Sequence, residues 1–201
     1  MSKRLYVAYG SNLNIQQMAS RCPGAKLYGT GVIENFELQF KGQPHGAFAT
    51  IAPKDGASVP VAVWEISKRN EQALDRYEGY PSHYFKQDVP VQLDGKEVTA
   101  MVYVMNLKMD FGLPAPYYYD VVREGYEDCG LDPAALEQAL RESTAQFYGS
   151  HWPHQESIFR FESDAEPDGD ELEEEDDPDL DEDEPELDET DPFYFSEGMH
   201  L

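Results

Sequence analysis

The pattern of apolar and polar positions divides the first 150 or so residues into short strands and short helices. Leu5-Tyr6-Val7-Ala8 is an apolar run of strand length, and Asn14-Ile15-Gln16-Gln17-Met18 behind it has the composition of a helix start. Asn14 with Gln17 resembles a capping box, and Arg21-Cys22-Pro23-Gly24 ends that helix. Residues 27–40 alternate in part and are rich in aromatic and aliphatic side chains, which predicts a long strand. Residues 47–52 and 59–66 predict two more strands, joined as a hairpin by Asp55-Gly56, with Pro60 confined to a strand start or an edge. Ser67 is an N-cap signal for a helix that carries Leu74 and Tyr77 on one apolar stripe and stops at Gly79. Residues 84–93 and 98–105 flank Asp94-Gly95, a two-residue hairpin signal. Two helices come next, one over 117–128 and one opened by Asp132 with Pro133 at its first position. Strands joined mostly by hairpins, with helices interspersed, predict an α+β domain built on a small mixed β-barrel or curled sheet with flanking helices.

Charge separates this body from the C-terminal segment. The chain of 201 residues has 40 acidic and 15 basic side chains, a net −25, yet 21 of the acids and none of the bases lie from Glu162 onward. Residues 1–161 are therefore close to balanced, at −4, and form one expected domain. Residues 162–201 form an acidic tail. Between 163 and 190 that tail has too few apolar side chains to offset its ordering entropy, so it is expected to be mostly disordered. Aromatics return at Pro192-Phe193-Tyr194-Phe195. Such a charge repels nucleic acid and anionic membranes; the tail reads first as a solubilising segment, with engagement of a basic protein partner as the alternative. No apolar run approaches the roughly 18 residues that span a bilayer, and the apolar run after Met-Ser-Lys-Arg is too short for a signal peptide. Two cysteines, Cys22 and Cys129, make a poor disulfide framework and are expected to be reduced in a cytoplasmic protein.

The turn Tyr9-Gly10-Ser11-Asn12-Leu13 holds the candidate chemistry. A Gly-Ser-Asn turn between strand and helix leaves backbone N–H groups without ladder or helix partners, and such groups converge on a carboxylate or a developing oxyanion. Sixty-five residues downstream, Leu74-Asp75-Arg76-Tyr77-Glu78-Gly79-Tyr80 places Glu78 on the last turn of a helix, whose negative end raises a carboxylate's pKa. An acid beside an N–H cradle can run acyl chemistry without a protein nucleophile if the substrate supplies its own. A γ-glutamyl amide does so, because its α-amine can close onto its γ-carbonyl as a five-membered lactam. One carboxylate then serves as base and afterwards as acid, provided burial raises its pKa towards neutrality.

Tyr9-Gly10-Ser11-Asn12-Leu13, Gly46 to Ile51, Leu74-Asp75 with Glu78-Gly79, and Ala115-Pro116-Tyr117-Tyr118 together resemble the γ-glutamylcyclotransferase family, in order and spacing, over about residues 4–150. The resemblance implies a small β-barrel with flanking helices and release of 5-oxoproline from small γ-glutamyl substrates, without metal or cofactor. It implies Glu78 as the acid/base. It also implies that Gly10, Ser11, Asn12 and Leu13 contact substrate through the turn, that Tyr9 lines the pocket, and that Tyr84 and Tyr118 face substrate. Tyr118 is flanked by Tyr117 and Tyr119. The Gly-Ser-Asn-Leu turn departs from the Gly-Thr-Leu form of γ-glutamylamine cyclotransferases and from the Gly-Ser-Leu form of the glutathione-degrading group. It is closer to the branch of free γ-glutamyl-amino-acid cyclotransferases and bacterial enzymes that trim γ-glutamyl protecting groups.

Other readings of single residues compete with these. Ser11 lacks a Gly-x-Ser-x-Gly elbow and a matched His–Asp pair, so it reads as a binding residue rather than a nucleophile. Asn12 is open between stabilising its turn and touching substrate. His151 and His154 bracket Trp152-Pro153 and read as a surface loop rather than a metal site, while His45 and His83 lie near turns. A different class of function is a catalytically silent binding module whose acidic tail recruits a basic partner. A third reading keeps the enzyme and makes its target a γ-glutamyl isopeptide on a larger acceptor.

Overall fold

The computed structural model describes residues 3–151, so the tail, its basic partner, the boundary at 161 and His154 lie outside the described residues. Five strands close into a barrel in the order β1-β3-β2-β4-β5, where β1 is Lys3–Ala8, β2 Lys26–Lys41, β3 Phe48–Ser67, β4 Tyr84–Leu93 and β5 Lys96–Met105. All neighbours are antiparallel except β1 and β5, which close the barrel in parallel through Tyr6↔Met101 and Val7↔Val102. Closure removes the unpaired edges that a five-stranded open sheet would present. Four helices flank it: α1 Ile15–Arg21, α2 Lys68–Tyr77, α3 Pro116–Asp128 and α4 Ala134–His151. Among the described residues no helix is long and apolar enough to cross a membrane. The expectation of a small mixed barrel with flanking helices is met.

Local chemistry explains most element ends. Asn14 caps α1 by accepting from the Gln17 N–H at 3.0 Å, although Gln17 turns its own side chain to Arg21 rather than completing the box. Ser67 and Asn70 cap α2 reciprocally, a full capping box. At the other end of α2, Gly79 adopts φ +61, and the N–H groups of Gly79 and Tyr80 reach back to the carbonyls of Arg76 and Asp75. This is the Schellman arrangement, and it fixes Glu78 as the C-cap residue. Asp94 and Gly95 both have positive φ, as a type I′ turn between β4 and β5 requires. Asp132 accepts from the Ala134 N–H at 2.9 Å and so starts α4, which runs on to His151.

The hairpin expected at Asp55-Gly56 is corrected. Residues 47–52 and 59–66 belong to one long strand, β3, and both halves pair with β2. Between Phe36↔Pro53 and Glu34↔Ser58, the four residues 54–57 stand against Asn35 alone. The turn chemistry is spent on a bulge: Asn35 and Gly56 both have positive φ, and the Asn35 side chain accepts the Gly56 N–H at 3.1 Å. Pro60 meets the edge condition locally, because β3 has not there reached its first β1 partner, Ala62↔Ala8.

Core side chains such as Val7, Ile33, Phe40, Ile51, Val61, Leu74, Val91 and Met101 fill the barrel and the helix contacts around it. Helix α3 lies on the Gly-Ser-Asn turn through Gly125. A Cβ there would fall 2.5 Å from the Asn14 nitrogen and 2.6 Å from Leu13 Cβ, so only glycine allows the contact. Both cysteines are free, and burial pushes each thiol up to about 11, away from reactivity at neutral pH. His45 is held in a bridge to Leu113 with its ring edge-on to Phe147, and His83 packs on Gly79.

Candidate active site

β1 delivers Tyr9 and Gly10 to the mouth of the barrel, and residues Ser11–Leu13 form a single 3-10 turn before α1. The Leu13 and Asn14 N–H groups close that turn onto the Gly10 and Ser11 carbonyls. Among the described residues, the backbone N–H groups of Gly10, Ser11 and Asn12 meet no protein acceptor. Ser11 and Asn12 are buried at 7% and 4% exposure and Gly10 is half-buried, so the donors of Ser11 and Asn12 sit on buried residues without partners among the described residues, an unfavourable state that an incoming anion relieves. Leu13 is fully buried and anchors the turn in the core.

Glu78 arrives from the end of α2. Its Oε1 accepts a hydrogen bond from Asn12 Nδ2 at 3.1 Å, which joins the two halves of the predicted site across 66 residues. The residue keeps an opening to solvent, yet its carboxyl end is enclosed. Burial pushes the Glu78 pKa from 4.5 up to about 7, against the opposing pull of the Arg21 charge and the Asn12 hydrogen bond. Desolvation thus drives the rise that was expected from the helix end.

Tyrosines surround the carboxyl. Tyr9 is buried and donates from its hydroxyl to the Tyr103 carbonyl at 2.6 Å. Tyr84 donates to the Ala49 carbonyl at 3.0 Å, and the Tyr118 hydroxyl accepts the Ala49 N–H at 3.1 Å. Of the run at 117–119, Tyr118 alone reaches the turn: its hydroxyl lies 3.2 Å from where a Gly10 Cβ would stand. Tyr117 is 75% exposed, and Tyr119 packs towards Phe40. Burial holds the hydroxyls of Tyr6, Tyr9, Tyr84, Tyr103 and Tyr118 above their ordinary pKa, so all are neutral hydrogen-bonding groups at physiological pH.

Four residues of this site escaped the sequence reading: Tyr6, Arg21, Tyr77 and Tyr103. Tyr6 accepts from Asn12 Nδ2 at 2.8 Å. The Arg21 guanidinium lies 3.8 Å over the Tyr77 ring and donates to Ser11 Oγ, Asn12 Oδ1 and Gln17 Oε1 at 3.1, 2.7 and 2.6 Å. The Tyr77 hydroxyl stands 3.2 Å from Ser11 Oγ. Ser11 is thus bonded to an arginine and a tyrosine, and among the described residues no histidine joins it as a base. Arg21 did carry a signal: it is the one basic residue between Arg4 and Lys26 and sits four residues after Gln17 on the same helix face. Among the described residues there is no cluster of three His, Cys, Asp or Glu side chains placed to hold a metal ion.

A groove of about 540 Å³ lies elsewhere, between the β3 bulge and α4, lined by Lys54, Asp55, Ser58, Gln138 and Glu142 among others. It brings no desolvated titratable group to a donor cradle. A smaller groove of about 360 Å³ runs beside the same helix end, past Asp75, Gly79, Tyr80 and His83.

The family described as gamma-glutamyl cyclotransferase, AIG2-like, matches residues 6–120, a span that contains the turn, Glu78, Tyr84 and Tyr118. Gamma-glutamylcyclotransferase of Bos taurus is 34% identical over 140 residues, covering 63% of this chain and 72% of its own length. The Homo sapiens protein of the same name is 32% identical over 146 residues, covering 68% and 77%. A solved gamma-glutamyl cyclotransferase structure superposes with a TM-score of 0.62 at 32% identity, over 70% of this chain and 87% of that one. With half the chain and every element of the site inside the match, this protein belongs to the gamma-glutamyl cyclotransferase, AIG2-like family.

Proposed function

We propose that this protein releases 5-oxoproline and a free amine or amino acid from a small γ-glutamyl amide, with Glu78 as the single general acid/base. The observation that carries this reading is the pairing of a desolvated carboxyl, poised at about 7, with a turn whose three N–H groups meet no acceptor among the described residues. The substrate α-carboxylate or the γ-carbonyl oxygen supplies the missing acceptor. As carboxylate, Glu78 takes a proton from the substrate α-ammonium. The freed amine nitrogen attacks its own γ-carbonyl carbon, and the N–H groups of Gly10 to Asn12 stabilise the tetrahedral oxyanion. The attacking nitrogen then carries one proton too many; Glu78 gives its own proton to the leaving nitrogen and takes this second one. Collapse breaks the γ C–N bond, and Glu78 passes that proton to the released amine, so no water is consumed and the carboxylate is regenerated. Tyr9, Tyr84 and Tyr118 supply uncharged walls that hold the amine against the carbonyl, where proximity accelerates the ring closure.

The test is 5-oxoproline release by the full chain from a panel of γ-glutamyl amino acids and γ-glutamyl amines. Turnover of at least one member is expected, with Glu78→Gln lowering it by about 1,000-fold or more, the scale of removing an acid/base group. Full activity in the Gln variant would remove the mechanism, and no turnover of any panel member would remove the function.

A further inference from the structure

Glu78 and the turn account for the cyclisation, but they leave Arg21 without a role. We propose that Arg21 is a positioning residue for this site, whose guanidinium locks the Asn12 side chain so that an amide N–H, and not the amide oxygen, faces Glu78. The inference rests on the cyclotransferase reading.

An asparagine amide presents an acceptor at one end and two donors at the other, and either end fits the same volume. A guanidinium can only donate. Arg21 Nη1 lies 2.7 Å from Asn12 Oδ1, so the oxygen is held at the arginine and both Nδ2 hydrogens point the other way, to Tyr6 at 2.8 Å and to Glu78 Oε1 at 3.1 Å. The reversed amide would set donors against donors at Arg21 and a lone pair against the Glu78 carboxylate. Arg21 is itself fixed by Gln17 Oε1, Ser11 Oγ and the Tyr77 ring, so α1, the turn and α2 all hold it.

None of those partners is a carboxylate, and among the described residues no ion pair takes up the guanidinium's charge. Among the described residues, the titratable groups that feel the Glu78 charge are Tyr6 from β1, Tyr9 from the turn, Tyr84 from β4, Tyr103 from β5, Tyr118 from α3 and Arg21 from α1. The tyrosines are neutral, which makes Arg21 the one charged member of the set. Arg21 thus acts on the base in two ways. It aims the Asn12 donor, and its field favours the carboxylate that must accept the substrate proton.

The experiment measures Arg21→Met, Arg21→Lys, Asn12→Ala and the Asn12→Ala/Arg21→Met double variant in the full chain. Glu78 is titrated by carbon-13 NMR of its carboxyl, and kcat and KM for 5-oxoproline release are measured against pH with a substrate turned over in the panel. In Arg21→Met the Glu78 pKa is expected to rise by about one unit, with the acid limb of kcat/KM moving with it. Loss of alignment is expected to lower kcat by about 10- to 100-fold, with KM changed much less. Arg21→Lys keeps the charge without the planar fork, so it should restore the titration and only part of kcat. Because Arg21 acts on kcat through Asn12, adding Arg21→Met to Asn12→Ala should lower kcat little further. Fully additive kcat losses, or an unmoved Glu78 titration in Arg21→Met, would overturn the proposal. Should Arg21→Met not fold, Arg21→Lys decides it: kcat equal to wild type would overturn the role of the fork. If wild type releases no 5-oxoproline, the functional reading fails, and the Glu78 titration still tests Arg21 on its own.

Discussion

Glu78→Gln should stabilise the fold while it abolishes the chemistry, and the size of the gain should depend on pH. Burial raises the Glu78 pKa from 4.5 to about 7, so between those values the native state holds a proton that the unfolded chain has released. Where the native state binds more protons, stability falls as pH rises. Wild type therefore loses stability across that window, and the loss is complete once pH has passed the folded pKa. The full shift corresponds to roughly 3 kcal/mol, or about 2 kcal/mol once the opening to solvent beside Glu78 is allowed for. Glutamine does not titrate, and it keeps an oxygen for Asn12.

Urea denaturation of the two proteins at about pH 5.5 and about pH 8.5 isolates the effect, because most of the proton loss falls between those values. Both lie above the acidic range in which a chain of net −25 loses its charge. The tail carboxylates are common to both proteins and cancel in the difference. The gap in favour of Gln should widen by about 1–2 kcal/mol from the lower to the higher pH. Equal gaps at both values would refute the claim that Glu78 is a desolvated acid. A wild type that gains on the variant as pH rises would mean that Arg21 and Asn12 outweigh burial, and that the carboxyl is held low rather than high.

Two further substitutions probe the scaffold of the site. Gly125→Ala would drive a methyl group into the backbone of Leu13 and Asn14, so α3 must lift from the turn. A loss of about 2–3 kcal/mol in urea denaturation is expected, with a fall in kcat/KM, and a change below about 0.5 kcal/mol would show that the contact yields freely. Tyr118→Phe removes the hydroxyl that accepts the buried Ala49 N–H. It should cost about 1–2 kcal/mol of stability and raise KM for the γ-glutamyl substrate, and an unchanged KM would detach Tyr118 from binding.

What could be read from the chain and what could not divides along the range of the interactions involved. Asp94-Gly95 announced its hairpin because a type I′ turn needs two positive φ values in adjacent residues and nothing else. Ser67 with Asn70, and Gly79 after Tyr77, fixed the two ends of α2 by contacts within a few residues, and with them the position of Glu78. Asp55-Gly56 carried the same kind of local signal and misled. Whether such a pair turns the chain back or bulges a continuing strand depends on β2, which runs alongside both halves of β3.

The same division runs through the site itself. The donor turn and the carboxylate were visible because each is a local motif, but the force that sets the carboxylate's pKa is not local. The helix end is a property of residues 74–79. The desolvation that dominates comes from burial in the folded chain, where Glu78 lies close enough to tyrosines on β1, β4, β5 and α3 to raise their pKa values as well. Arg21 was missed for a related reason. As a sequence feature it is a basic residue at a helix end, where it suits the dipole and needs no other explanation. Its partners Gln17, Asn12 and Ser11 lie within ten residues, yet what gives those bonds a consequence is Glu78, brought beside Asn12 from 66 residues away. A motif can therefore show which groups do the chemistry, while the fold decides how strongly each one holds its proton and which way its neighbours face.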